Sequence, residues 1–146
     1  MPIAAPPERL YDLITDVTQM GRWSPECTGG TWLGGASGPS VGARFRGGNK
    51  HGVMRWWTHC TITKADRPGA FEFTVRESSM RWGYRFEVDP DEPATTIVTE
   101  YRDAFKKTPA IIKAVQKSGL LGRERETLVV DGMRDTLARL KAAAEG

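Results

Sequence analysis

The polar and apolar positions divide the chain into three textures. The first runs from Pro7 to Arg22. Proline at Pro6 and Pro7, followed by Glu8, opens a helix, because proline is pre-set for the first turn and a carboxylate is favoured at the positive end of the helix dipole. Leu10, Leu13, Ile14 and Val17 then recur at helical spacing on one stripe. Thr18 to Arg22 reads as a second short helical piece with Thr18 as its cap, stopped by Ser24 because Pro25 disfavours helix before it.

From Gly29 to about Phe105 the texture becomes short runs of aromatic and β-branched residues, punctuated by Gly-Gly, Arg67-Pro68-Gly69 and Asp89-Pro90-Asp91-Glu92-Pro93. This predicts an antiparallel meander with strands at Thr31 to Leu33, Ala43 to Gly47, Val53 to Lys64, Ala70 to Glu77, Met80 to Val88 and Thr96 to Ala104. Phe71, Phe73 and Val75 share one face, as do Trp82, Tyr84, Phe86 and Val88. Glu72, Thr74, Arg76, Arg81, Arg85 and Glu87 lie opposite, so the sheet is wet on one side only. In the long strand after Val53, Trp56 and Trp57 must point to opposite faces. Cys60 and Ile62 are better core residues than Thr61 and Thr63, which predicts Trp56, Thr58, Cys60 and Ile62 inward unless a bulge reverses the phase.

The apolar face needs a cover. Thr108-Pro109 opens a helix carrying Ile111, Ile112 and Val115 and stopping near Ser118-Gly119. A longer helix from about Arg123 to Glu145 aligns Val129, Val130, Met133, Leu137 and Leu140. Gly132 in its middle costs on the order of 1 kcal/mol relative to alanine. It marks either close packing against the sheet or room for a ligand beside Met133.

Composition narrows the class. A chain of 146 residues with no shift that would mark a linker is expected to form one domain over 1–146. The net charge of +3 is too small to make nucleic acid the default partner. No run is apolar enough for a membrane span, and Met1 to Pro7 lack the apolar stretch of a signal peptide, so the expected address is cytoplasmic. Cys27 and Cys60 form no CxxC pair and read as free thiols. Five tryptophans, five phenylalanines and three tyrosines supply rings for a core or a pocket wall.

The succession of helices, antiparallel meander and final helix, together with particular residues, resembles the START-like helix-grip superfamily. This is also called the SRPBCC or polyketide cyclase/dehydrase group, in its actinobacterial form. The residues are Ala5 to Asp16, Trp23-Ser24-Pro25-Glu26, Val41 to Gly47 with Asn49, Trp82-Gly83-Tyr84, Thr96 to Glu100, and Gly132 to Leu137. The resemblance implies an α+β helix-grip fold, a curved antiparallel sheet wrapped around the C-terminal helix. It also implies a full strand before Ala5, where only Met1 to Ala4 stand, so that either the true start lies upstream or the first strand is very short. Finally, it implies a cavity between sheet and helix for a lipid, polyketide, hormone or aromatic metabolite.

Trp56, Thr58, Phe73, Val75, Trp82, Tyr84, Phe86, Val98, Met133 and Leu137 are the expected lining, although the rings serve equally to fill a core. A catalytic acid or base must project into that cavity. Glu100, in phase with Thr96 and Val98, is an inward carboxylate paired with Arg102 or else a surface glutamate; Tyr84 and Tyr101 are the other candidates, with Tyr101 on the face opposite Glu100. His59 faces outward in the preferred phase, and His51 sits in a turn. No nucleophile motif, metal-ligand spacing or phosphate-cradling loop occurs, so neither a metal nor a cofactor is implied. Arg44, Arg46, Lys50, His51 and Arg55 cluster on one hairpin, as a charged strand edge or as an attractor for an anionic headgroup, an acyl carrier or nucleic acid.

The shortage of placed catalytic groups favours a non-enzymatic binder of a small hydrophobic ligand, a monomer or homodimer. The alternatives are a cofactor-independent aromatase/cyclase or dehydratase and, from labels carried by relatives only, a toxin-like or regulatory protein of a toxin–antitoxin pair.

Overall fold

The computed structural model describes residues 1–25, 27–105 and 120–146, with backbone only for 120–129. The predicted helix opening at Thr108 lies outside the described residues.

Strand β1 (Pro2–Ile3) is short, as its length allows, and pairs with the last strand of the sheet. Helix α1 (Pro7–Thr15) begins on Pro6 in extended conformation with proline in its first turn, and buries Leu10, Tyr11, Ile14 and Thr15. The chain then makes one 3₁₀ turn (Val17–Gln19) and a short helix α2 (Met20–Trp23). The cap of this second piece is Asp16, whose carboxylate accepts from the Thr18 N–H, and not Thr18 as the sequence suggested. The cap therefore lies two residues upstream, where Asp16 satisfies the orphan N–H of Thr18 at the start of the 3₁₀ turn.

Six longer strands follow: β2 (Cys27–Leu33), β3 (Arg44–His51), β4 (Met54–Asp66), β5 (Ala70–Val75), β6 (Met80–Val88) and β7 (Thr96–Ala104). They form one antiparallel sheet in the order β1-β7-β6-β5-β4-β3-β2. Consecutive strands are neighbours throughout, and only β1 crosses over, to cap the β7 edge. The seven-stranded sheet with its terminal helix α3 (Leu120–Glu145) is an α+β helix-grip fold.

Directly opposed residues in an antiparallel pair share a face, so the register fixes one continuous apolar surface. Phe45 opposes Cys60, Cys60 opposes Val75, Ile62 opposes Phe73, Phe71 opposes Tyr84, and Phe86 opposes Val98. These residues are buried with α1 and the end of α3 in a single core. Tyr11 of α1 reaches edge-on to Phe71 and Phe86, with ring centroids 6.4 and 6.1 Å apart.

Helix α3 packs against α1, α2, β1 and β7. Its end is pinned where the Lys141 ammonium donates to the Pro2 carbonyl and the Ala4 N–H donates to Glu145. Its buried stripe is Thr136, Leu140 and Ala144, with Leu137 and Ala143 partly buried alongside. Val130 is exposed, contrary to the stripe predicted for it. Leu137 and Leu140 of the predicted stripe do lie on the packed side, joined by Thr136 and Ala144, small side chains that hydropathy does not single out.

Candidate functional site

Trp56, Thr58, Phe73, Val75, Trp82, Tyr84, Phe86 and Val98 fall on the concave face. The register aligns Trp56 with Asn49, Thr58 with Gly47, Phe73 with Trp82, Tyr84 with Glu100, and Trp82 with Arg102. A gradient runs along this face. Phe73, Val75, Tyr84, Phe86 and Val98 are buried, while Trp56, Thr58, Trp82 and Arg102 are half-buried. Met133 and Leu137 of α3 are also half-buried.

The polar members of this face are few and organised. Tyr84 donates its hydroxyl to Glu100 Oε1 at 3.1 Å. Glu100 Oε2 is buried and has no hydrogen-bond partner among the described residues. Burial in apolar surroundings pushes the Glu100 carboxyl from its ordinary 4.5 up to about 8, against a smaller opposing effect of the Tyr84 hydrogen bond. Burial, and then the neighbouring Glu100, raise the Tyr84 phenol well above its usual value. Glu100 is therefore an inward carboxyl whose partner is Tyr84 and not Arg102. The Arg102 guanidinium lies over the Trp82 ring instead, 6.0 Å from its centroid. Nearer the sheet end, Asn49 donates to Thr58 Oγ1 at 3.2 Å and to the Gly47 carbonyl at 3.3 Å.

Tyr101 is not brought to this face. It lies on the convex side, where its hydroxyl donates to Glu72 Oε2 at 2.6 Å and its ring covers Gly83. Its place in the strand, one residue after an inward glutamate, dictates this. His59 also points outward, against Glu77 and Arg76, and His51 is exposed in the β3–β4 turn.

Between the sheet and the helices, Ile14, Met20, Trp23, Ser24, Phe71, Phe73, Tyr84 and Thr136 line a cavity of about 20 Å³, room for about one water molecule. Among the described residues, a methyl group added at Gly132 would meet Pro25 at 4.0 Å, an ordinary van der Waals contact. Thr136 donates to the Gly132 carbonyl. Met20, Trp23 and Thr136 were not singled out as lining from the sequence. Thr136 was findable as the residue one turn after Gly132, but the inward turn of Trp23 depends on how α2 docks.

Burial raises both thiols, Cys60 to about 12, so each stays protonated near neutrality. Among the described residues no group of His, Cys, Asp and Glu side chains is arranged to hold a metal ion, and no helix is long and apolar enough to cross a membrane.

A curved antiparallel sheet gripping a terminal helix, with an aromatic inner face and one inward acid–phenol pair, defines a START-like protein of the SRPBCC type. The chain belongs to the family described as polyketide cyclase / dehydrase and lipid transport, whose model matches residues 1–145. A search of curated protein sequences returns no match. Among solved structures, the polyketide cyclase-like protein Cgl2372 from Corynebacterium glutamicum is 27% identical, with a TM-score of 0.65, covering 99% of this chain and 88% of that one. The di-domain aromatase/cyclase StfQ from the steffimycin biosynthetic pathway superposes with a TM-score of 0.68 at 14% identity. BexL, the di-domain aromatase/cyclase from the BE-7585A pathway, superposes with 0.64 at 18%. This chain is covered to 99% in both, but it spans only 43% of StfQ and 44% of BexL.

Proposed function

We propose that the concave face binds a small, mostly apolar ligand carrying at least one hydroxyl or carbonyl oxygen, which Glu100 engages. The observation that carries this reading is the second oxygen of Glu100, buried and without a partner on an otherwise aromatic and aliphatic wall. Such a group costs stability unless something satisfies it. Family membership and the aromatase/cyclase structures support an aromatic or polyketide-like shape for that ligand.

The test compares 1-naphthol with naphthalene, titrated into wild type and Glu100→Leu by calorimetry. Wild type is expected to prefer the naphthol, and Glu100→Leu to lose roughly tenfold of that preference. Absence of binding by either compound, or an unchanged preference in Glu100→Leu, overturns the reading.

A second reading, a cofactor-independent cyclase, draws on the same carboxyl. A group that titrates at about 8 is suited to pass a proton near neutrality. As the carboxylate it would take a proton from the methylene between two ketones; the carbanion would add to a distant carbonyl of the same chain, and the new alkoxide would take the proton back. Glu100→Gln is then expected to bind a poly-β-ketone analogue and yield no cyclised product.

A further inference from the structure

Between Glu26 and Asp66 the sequence contains no aspartate or glutamate, while Arg44, Arg46, Lys50, Arg55 and Lys64 all fall there. This stretch builds β2, β3 and β4, so one side of the sheet has cations and no carboxylates of its own.

Strand β4 pairs residue for residue with β5 only from Cys60 onward. On the other side β2 pairs with β3 only as far as Asn49, so Lys50 to Arg55 project beyond both neighbours as a short two-stranded finger, roughly 10 Å long. Gly52 turns its tip with φ +60°. At the tip Val53 is 99% exposed and Met54 65% exposed, and Trp57 on the outer face is 55% exposed. A loop tip in contact with water alone has no use for three large apolar side chains together.

Immediately behind these residues Lys50 stands directly opposite Arg55. Two like charges in that position repel each other in the free protein, and a negatively charged partner removes the repulsion. The Arg46 guanidinium lies 4.3 Å from the centroid of the Trp57 ring, joining an aromatic plane to a cation as residues at a lipid–water boundary do. A narrow convex finger offers little area to a folded protein partner, but it can enter a fluid layer.

We propose that the tip of the β3–β4 hairpin docks the protein on an anionic lipid bilayer. Val53 and Met54 enter the acyl boundary, Trp57 lies at the interface, and Lys50 and Arg55 meet lipid phosphates. The inference does not rest on the ligand reading, and its test uses no cavity ligand.

Wild type is expected to co-sediment with vesicles of phosphatidylcholine mixed with phosphatidylglycerol, much less with phosphatidylcholine alone, and less as salt is raised. The double variants Val53→Asp/Met54→Asp and Lys50→Gln/Arg55→Gln should each bind roughly tenfold more weakly or worse, with circular dichroism confirming their fold. In wild type, lipids brominated in the acyl chains should quench tryptophan emission, and Trp57→Phe should lose most of that quenching. This last comparison needs no tip variant to fold. Absence of vesicle binding, or equal binding by both double variants, overturns the proposal. So does a wild-type oligomer that ignores vesicles and dissociates in Val53→Asp/Met54→Asp, which would assign the tip to a second copy of the chain.

Discussion

Tyr84 and Glu100 stand directly opposite each other across β6 and β7, and the phenol donates to the carboxyl at 3.1 Å. The pair lies on the buried side of the sheet, so the hydrogen bond satisfies one carboxyl oxygen while the apolar surroundings keep the group protonated at neutral pH. Its protonation equilibrium thus connects folding to pH.

Because the folded-state value of Glu100 is raised to about 8 from 4.5, the stability it permits is fully present below about 4.5 and is lost as the pH rises through 8. Glu100→Gln carries no such dependence. The variant is expected to gain on wild type by roughly 2–4 kcal/mol between about pH 5 and pH 9, read as the difference between urea unfolding curves. Glu72 provides the contrast. Burial raises it, but hydrogen bonds from Tyr101 and Thr63, together with the charges of Lys64 and Arg81, outweigh burial and hold it below its ordinary value. Its contribution therefore persists at high pH and fades only in acid.

Tyr84→Phe removes the donor that lowers Glu100. The carboxyl then titrates higher still, so the alkaline end of the stability slope moves upward in pH. The fold itself should weaken by about 1 kcal/mol. Chemical-shift titration of labelled glutamate carboxyls measures the shift directly.

On the convex face Gly83 lies under the Tyr101 ring, and a methyl group there would come within 2.1 Å of a ring carbon. Gly83→Ala should lose about 1–3 kcal/mol from overpacking. Adding Tyr101→Ala should return part of that loss, although it also deprives Glu72 of a donor. A double-mutant cycle by thermal or urea denaturation checks the coupling.

Leu140 is fully buried and Val130 is 38% exposed on the same helix. Leu140→Ala is expected to cost about 2–5 kcal/mol and Val130→Ala within about 0.5 kcal/mol. Equal losses would restore the apolar stripe that hydropathy alone suggests.

Strand alternation carried much of the fold into the sequence. Phe71, Phe73 and Val75, and then Trp82, Tyr84 and Phe86, could be assigned to one face because a period of two leaves a single consistent phase. The same logic put Cys60 and Ile62 inward. It gave Glu100 a side only conditionally, and it could not choose between Tyr84 and Arg102 as its partner. That choice depends on the register between β6 and β7, set by the turn between them and by the docking of β1. Trp23 and Met20 were illegible as lining for a similar reason, since their place beside Tyr84 depends on how α2 docks.

The thirteen-residue strand β4 contains an irregularity between Ile62 and Lys64. The added residue sets both Thr63 and Lys64 over Glu72, with the Thr63 hydroxyl donating at 2.7 Å and the Lys64 ammonium forming an ion pair at 4.0 Å. It also resets the strand's parity, so that even-numbered side chains face the core before it and Ala65, opposite Phe71, faces the core after it. One inserted residue thus lets a single strand serve two frames, and losing it would exchange the inside and outside of everything downstream in β4.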